Sequence, residues 1–451
     1  MRRCQIAAPV EAAFRWHARP GALERLTPPW ERISVEERTG GIEAGSRVSL
    51  RMGFGPIGVR WIVIHRDCVE GEQFRDEQVQ GPFARWVHTH RFRPDGLGAA
   101  ILEDQIEYQL PYGWVGDAIG GAAVRRKLHR IFAYRHAVTQ ADIETHVRAG
   151  KGEAMQVAVS GSSGLVGSAL LPFLTAGGHR ISRLVRKAAG GDDIAWDIAQ
   201  GVKELSRLEG VDAVVHLAGE NIAAGRWTAA RKEEIRRSRV EGTRRLCESL
   251  AKLSRRPKVL VSASAVGFYG NRGEEILRED SAPGSDFLAQ VCREWEAATD
   301  PASRAGIRVV HLRSGVILSP AGGALKKMLL PFKMGAGGRM GSGAQFMSWI
   351  AIDDAVGAIH HAIVTESLQG PVNGVAPTPV SNVEFTRTLG RVLSRPAIVP
   401  MPAFAARLAF GEMADALLLA SQRVIPARLQ ATGYRFRHAE LEGALRHLLG
   451  R

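Results

Sequence analysis

The chain has few cysteines, few aromatic residues and no long apolar run, and each shortage closes off a class of protein. Its 451 residues include only four cysteines, Cys4, Cys68, Cys247 and Cys292. They are scattered, without the spacing of a zinc ligand set, a redox pair or a disulfide framework. A reducing compartment is therefore expected, with the cytoplasm as the default, and no metal site is expected. No stretch is apolar for long enough to span a bilayer. The N-terminal run is broken by Gln5, Pro9 and Glu11, which does not fit the unbroken apolar centre of a signal peptide. Acids are the minority charge, 46 Asp and Glu against 60 Lys and Arg, leaving a formal charge of +14. The basic excess forms no long run or aromatic-spaced stripe. Its densest patch, Arg231-Lys-Glu-Glu-Ile-Arg-Arg-Ser-Arg239, mixes in acids as a solvated helix face does. Nucleic acid is thus not an expected partner, whereas a small anionic ligand is natural.

What is present is an ordinary globular balance, 45% hydrophobic and 24% charged, over a length that calls for about two or three domains. The most informative stretch begins at Met155-Gln-Val-Ala-Val-Ser-Gly-Ser-Ser-Gly-Leu-Val-Gly167. Gln156 to Ser160 reads as a buried strand. Leu165, Ala169, Leu170 and Phe173 recur at helical spacing until Gly177-Gly178 stops the helix. Gly161, Gly164 and Gly167 fall where a chain must turn tightly, approach a pyrophosphate with bare backbone and pack a helix against a strand. The helix N-terminus favours an anion there. The next strand ends in Arg183, Arg186 and Lys187, with no carboxylate to accept ribose hydroxyls. Basic groups at that point suit the extra phosphate of NADP better than the ribose of NAD.

Residues 1 to about 150 have a different pattern. A strand over Arg2 to Ala8 is followed by a helix opened by Pro9 and a second short helix after Pro20. Strand-like stretches then run over Glu31 to Arg38, Ser46 to Met52, Gly58 to His65, Gln73 to Gln80, Arg85 to Phe92 and Ala100 to Leu110, divided by glycine turns. An amphipathic helix from about Trp114 to Arg135 covers the sheet, and the polar stretch Ala137 to Ala154 reads as a linker. On Ala8-Pro-Val-Glu-Ala-Ala-Phe-Arg-Trp-His17, Leu26-Thr-Pro-Pro-Trp30 and Arg130-Ile-Phe-Ala-Tyr-Arg-His136, this part resembles the helix-grip superfamily of START-like and polyketide-cyclase-like (SRPBCC) domains. The resemblance implies an apolar ligand held between sheet and helix.

Beyond residue 155 strands and helices alternate: a strand at Val211 to Leu217, a helix at Thr228 to Leu253, a strand at Pro257 to Ala263, a helix at Asp286 to Thr299 and a strand at Ile307 to Leu312. That alternation predicts a doubly wound parallel α/β sheet of Rossmann type, closed by a helical lobe over about 370–451. The whole chain then reads as an α+β helix-grip domain over 1–150 and a Rossmann domain over 155–451. This second part is similar to the short-chain dehydrogenase/reductase superfamily, in particular an atypical NADP-binding epimerase-like family. The likeness rests on Ser160-Gly-Ser-Ser-Gly-Leu-Val-Gly167, Leu184-Val-Arg-Lys187, His216-Leu-Ala-Gly-Glu-Asn-Ile222, Arg313-Ser-Gly-Val-Ile-Leu318 and Val372-Asn-Gly-Val-Ala-Pro-Thr378. It implies NADP(H) as cofactor. Gly161, Ser162, Ser163, Gly164, Leu165 and Val166 would wrap the pyrophosphate, Arg186 and Lys187 would hold the 2′-phosphate, Leu217, Ala218 and Gly219 would line the cofactor, and Ser262 to Ala265 would border the nicotinamide.

One feature of the parent superfamily is missing. Its members use a Tyr with a Lys four residues later, the Lys helping the phenol to pass a proton as hydride moves. The five tyrosines here, Tyr108, Tyr112, Tyr134, Tyr269 and Tyr434, have no Lys four positions on. Where the dyad is expected stand Phe287 and Val291, which cannot exchange a proton. Glu220, Ser264 and Tyr269 are the candidate catalytic replacements. Asn221, Gln345 and Trp349, with the glycine loop 335–343, are candidates for the substrate side. The expectation is an oxidoreductase or epimerase with an unconventional acid, acting on a small molecule. The alternatives are a non-catalytic NADP(H)-binding or sensing protein, and a carrier of a lipid- or quinone-like ligand through the N-terminal domain.

Overall fold

A computed structural model describes residues 1–54, 57–96, 98–150, 154–188 and 190–451, with the side chains of Phe54 and Ile57 not described. The chain divides into two compact units, Met1–Glu153 with Pro172–Gly178 and Gly450, and the remainder. None of the described helices is long and apolar enough to cross a membrane.

The alternating stretches of the first unit form a seven-stranded antiparallel sheet. Its strands are β1 (Arg2–Ile6), β2 (Ile33–Thr39), β3 (Arg47–Phe54), β4 (Ile57–Val69), β5 (Gln73–Gln80), β6 (Arg85–Pro94) and β7 (Ala100–Gln109), in spatial order β1-β7-β6-β5-β4-β3-β2. Helices α1 (Val10–Ala18) and α2 (Ala22–Leu26) fill the connection from β1 to β2, and α3 (Trp114–Arg148) follows the last strand. Pro9 stands just before α1, where a missing N–H costs nothing. Phe14 packs edge-on against Phe92 and Phe74, with centroids 5.4 and 6.4 Å apart. Around them lie Ile6, Trp16, Leu102 and Ile143.

The linker expected over Ala137 to Ala154 is mostly helix instead. α3 runs on to Arg148 because Val138, Thr139, Asp142 and Ile143 turn inward at helical spacing. Polar composition misled because Asp142 is buried as the partner of Arg25, whose Nε and Nη2 donate to it at 2.7 and 2.9 Å. A buried carboxylate matched by a guanidinium fork reads as a surface residue in sequence.

The second unit is built on an eight-stranded sheet. The strands are β8 (Gln156–Ser160), β9 (Arg180–Val185), β10 (Asp193–Asp197), β11 (Gly201–Val202), β12 (Ala213–His216), β13 (Val259–Ala265), then, past the short β14 (Ile276–Leu277), β15 (Arg308–Ser314), followed by β16 (Val316–Leu318), β17 (Phe346–Met347) and β18 (Trp349–Ala351) outside the sheet, and β19 (Gly370–Gly374) within it. The sheet order is β11-β10-β9-β8-β12-β13-β15-β19, parallel except for the edge hairpin to β11. Helices α4 (Leu165–Ala176), α5 (Ala229–Ala251), α6 (Phe287–Ala297), α7 (Asp300–Arg304), α8 (Gly323–Lys333) and α9 (Ile352–Val364) connect these strands. β12 is buried at all four positions, as a strand covered on both faces should be. Side-chain caps set two helix starts: Thr228 accepts from Arg231 N at α5 and Asp286 from Ala289 N at α6.

After β20 (Val380–Ser381) come α10 (Asn382–Leu393), α11 (Ala403–Phe410) and α12 (Glu412–Ala414), then β21 (Arg423–Val424), α13 (Ala427–Ala431) and α14 (Leu441–Leu449). The helical part therefore starts at Asn382, later than the expected 370. Gly370-Pro-Val-Asn-Gly374 is too short and glycine-bounded for a helix, and it extends the parallel sheet beside β15. α10 and α14 share one core, with Phe385, Leu389, Leu445 and Leu448 packed around Trp349.

Candidate functional site

The strand order reverses between β8 and β12, the switch point at which open α/β sheets bind ligands beyond the carboxyl ends of their strands. Register aligns those ends, with Ser160 opposite His216 and His216 opposite Ser262. Ser160 Oγ lies 2.6 Å from His216 Nδ1 and accepts from Leu217 N at 3.2 Å. His216 Nε2 is 3.0 Å from Thr243 Oγ1, which also accepts from Trp295 Nε1 at 2.9 Å. A neutral imidazole carrying its proton on Nε2 satisfies both sides. Burial pushes the His216 pKa down to about 4. This chain of groups fixes the strand ends beneath the glycine loop. Thr243 and Trp295 could not be placed there from sequence, since they come from separate helices.

The loop itself is tightly constrained. Gly161 has φ +69°, and a Cβ on it would lie 2.7 Å from the Leu217 carbonyl carbon. A Cβ on Gly167 would lie 2.3 Å from Gly161 O. Both contacts are shorter than side chains tolerate, so bare backbone faces the strand ends here, as a pyrophosphate requires. Ser162, Ser163, Gly164, Leu165 and Val166 lead into the first turn of α4, whose leading amides have no partner within the helix.

Arg186 and Lys187 follow directly on β9, and both are exposed. Among the described residues neither side chain has an ion pair or a hydrogen bond. Arg183 is different: its Nε and Nη2 fork onto Asp193 of β10 at 2.6 and 2.9 Å. Sequence gave no reason to pair residues ten apart, but parallel register sets Arg183 opposite Asp193.

Leu217 and Ala218 are half-buried and Gly219 exposed after β12. Ser262 is buried at the end of β13. Of the three proton-transfer candidates, Glu220 has a side chain 40% exposed and 3.4 Å from Arg231 Nη2. Ser264 is buried and donates to Glu296 Oε1 at 2.7 Å. Tyr269 is wholly buried; its hydroxyl donates to Asn373 Oδ1 at 2.7 Å and accepts from Arg313 Nη1 at 3.0 Å. Burial raises the Tyr269 pKa. Arg313 also holds Glu296 in a two-point ion pair, at 2.8 Å for each contact. Burial lowers the Arg313 pKa, but the bonds and charge of Glu296 together with Tyr269 leave it raised.

On the substrate side, Asn221 is exposed and its Oδ1 accepts from Ala223 N, shaping the turn. Gln345 is buried, with Nε2 donating to the carbonyls of Met340 and Leu418. Trp349 is 0% exposed and donates to Thr378 O, so it is a core residue and faces no open space. Phe287 opens α6 half-buried, with its ring edge-on to Trp227 at 5.4 Å, and Val291 one turn later is buried.

The first unit contains a cavity of about 360 Å³ between its sheet and α3. Leu26, Ile42, Leu50 and Trp61 supply apolar wall, whereas His65, Asp76, His88 and His90 gather on the strand side. Sequence reading anticipated the apolar space but not the polar floor. Its signal was the alternation His88-x-His90, which puts both rings on one face of a strand.

A glycine loop at the switch point of a doubly wound parallel sheet defines a Rossmann fold of the dinucleotide-binding type. Residues 157–373 match the NAD dependent epimerase/dehydratase family, residues 6–132 match polyketide cyclase / dehydrase and lipid transport, and residues 401–448 match a domain of unknown function (DUF1731). An epimerase family protein of Mycobacterium bovis is 46% identical over 290 residues, 64% of this chain and 96% of that protein. The human epimerase family protein SDR39U1, solved with NADPH, is 38% identical with a TM-score of 0.61 and covers 65% of this chain and 99% of its own. A nucleoside-diphosphate sugar epimerase structure from Corynebacterium glutamicum covers 100% of this chain and 90% of its own, at 35% identity and a TM-score of 0.82. The chain belongs to the NAD dependent epimerase/dehydratase family.

Proposed function

We propose that the second unit binds NADP(H) and acts on a small molecule as an oxidoreductase or epimerase whose acid is not the usual tyrosine. The observation that carries the cofactor reading is the exposed pair Arg186 and Lys187 beside a loop that admits no side chain at Gly161 or Gly167. The human relative solved with NADPH supports it. Gly161 to Val166 would hold the pyrophosphate, Arg186 and Lys187 the 2′-phosphate, and Leu217, Ala218, Gly219 and Ser262 the remaining length of the cofactor. When bound, the cofactor supplies hydride transfer.

The chain's own task is then to position the cofactor, exclude water and manage one proton. Phe287 and Val291 cannot take that proton. The hydroxyls of Ser264 and Tyr269 are buried and committed to Glu296 and Asn373. Glu220, partly exposed after β12, is the candidate left to exchange a proton, with Arg231 steadying its carboxylate. A positioned acid or base contributes about 10² to 10⁴-fold. The measurement is a fluorescence titration with NADPH and NADH, followed by NADPH consumption with simple carbonyl compounds. Tighter NADPH binding with slow turnover that falls further in Glu220→Gln is expected. Equal cofactor affinities would overturn the cofactor assignment, and rapid turnover undiminished in Glu220→Gln would overturn the acid. Tight binding with neither NADPH consumption nor epimerisation of any substrate would favour the sensing role instead.

The cavity of the first unit favours a second activity, binding of an apolar small molecule with a polar head. A ligand that binds only the folded form raises the melting temperature. A broad lipid and quinone panel that shifts nothing would leave the first unit as a scaffold.

A further inference from the structure

We infer that the floor of the N-terminal cavity is a binding site for one divalent transition-metal ion, held by Asp76, His88 and His90 with an open coordination position facing the cavity. The inference stands apart from the cofactor reading, so failure of either leaves the other untouched.

Strand register assembles the site. Asp76 of β5 lies opposite both His65 of β4 and His88 of β6, and His90 lies opposite Asp104 of β7. One donor atom each from Asp76, His88 and His90 lies within 4.8 Å of the other two. Asp76 Oδ2 is 3.7 Å from His88 Nδ1 and 3.4 Å from His90 Nε2. Such spacings suit nitrogen and oxygen atoms that share a metal at about 2.0–2.2 Å from each. His65 adds a fourth group, its Nδ1 2.6 Å from Asp76 Oδ1. Both atoms are buried, and among the described residues neither has a further hydrogen-bond partner. His65 thus orients Asp76 through Oδ1 and leaves Oδ2, the oxygen near His88 and His90, for the metal.

The outer groups are arranged as around a metal. His88 Nε2, the ring nitrogen facing away from the site, is 2.8 Å from Asp104 Oδ1. His90 Nδ1 is 2.9 Å from the same oxygen, and His136 Nε2 is 2.6 Å from Asp104 Oδ2. One carboxylate thus stands behind both ligand imidazoles, hydrogen-bonded to His88 and ion-paired with His90, and such a partner fixes a ligating ring and strengthens its lone pair. Asp104 is buried and Asp76 half-buried, and a divalent cation would balance carboxylate charge on the cavity floor. Two imidazoles and one carboxylate fit zinc or a neighbouring first-row metal better than magnesium or calcium. Three protein ligands leave a position open, as in catalytic rather than structural sites. Leu50, Trp61 and Phe74 line the space around it. The ligand class is accordingly an apolar molecule with a chelating oxygen head, such as a carboxylate or an enolised diketone.

The test uses the untagged full chain, stripped with a chelator and titrated with Co(II), whose visible bands report coordination. One Co(II) per chain is expected, displaced by Zn(II), together with a raised melting temperature. Replacing the outer group with Asp104→Asn should weaken binding about 10- to 100-fold. His88→Gln with His90→Gln should abolish it while the far-ultraviolet circular dichroism and the cooperative melt of the metal-free chain stay those of wild type, which shows that the variant is folded. An aryl hydroxamate should shift the Co(II) bands. No saturable Co(II) binding by the wild-type chain, or equal binding by the double-histidine variant, overturns the site, and bands indifferent to the hydroxamate overturn the open position.

Discussion

Replacing Arg186 and Lys187 together by alanine should cost NADPH affinity and leave NADH affinity nearly unchanged. Both side chains are exposed and unpaired among the described residues, so their loss breaks no contact of the fold. Hydrogen bonds to charged groups contribute roughly 1.5–3 kcal/mol each, and exposed ones belong at the low end. Two such contacts give about 3 kcal/mol, or roughly a hundredfold rise in the NADPH dissociation constant. Titration by nicotinamide fluorescence at two salt concentrations is the assay. The preference should shrink as salt rises, because screening acts over about 8 Å at physiological ionic strength. Arg183→Ala is the control: with its fork committed to Asp193, it should alter stability and not cofactor choice. If the double variant keeps the wild-type ratio of the two affinities, or loses both cofactors equally, the reasoning about the 2′-phosphate is wrong.

Gly167→Ala places a Cβ 2.3 Å from Gly161 O, so α4 must back away from the loop; both cofactors should lose more than tenfold in affinity while the circular dichroism is retained. Arg313→Met leaves the Glu296 carboxylate without its guanidinium at 11% exposure, and breaking a buried pair costs about 3–5 kcal/mol. At roughly 2–4 °C per kcal/mol a clear fall in melting temperature follows, which the added change Glu296→Leu should largely restore. A single variant as stable as wild type would show that the pair is solvated.

Much of the architecture was legible because local signals agreed. The glycine loop sat between a strand and a helix, and the strands of the first unit were separated by glycine turns near their true ends. The place of Arg186 and Lys187 directly after β9 was readable because the strand before them is a short run bounded by glycine. Four of the misses share one cause. Asp142, Asp193, Thr243 and Asp104 are polar residues whose partners lie on other elements, and sequence assigns such residues to the surface. Gln345 and Trp349 misled in the opposite sense. Polar and aromatic residues beside a glycine loop suggest a ligand, yet Gln345 ties two carbonyls and Trp349 fills the core between β18 and α10. The cavity floor escaped notice because its four groups come from three strands, and only register brings them together.

The same argument from burial makes acid stability depend on His216. Its ring is fully buried between Ser160 and Thr243, and the folded protein holds its pKa at about 4 against an ordinary value of 6.5. The folded pKa is the lower one, so between these values the unfolded chain binds more protons and stability falls as pH drops. At pH 4.5 the linkage amounts to about 2 to 3 kcal/mol, and near pH 7 it is almost nil. His216→Asn removes the titration while keeping an amide that can bond to either neighbour. The variant should be less stable than wild type at pH 7, since its shorter side chain fits the two hydroxyls less well, but its stability should decline less between pH 7 and 4.5. Denaturant midpoints of the full chain at the two pH values measure this. His17 and His438, also held near 4, keep part of the acid dependence in both proteins, so the difference between the two declines is the readout. Parallel declines would mean that water reaches His216 and that the strand ends beneath the glycine loop are looser than their hydrogen bonds imply.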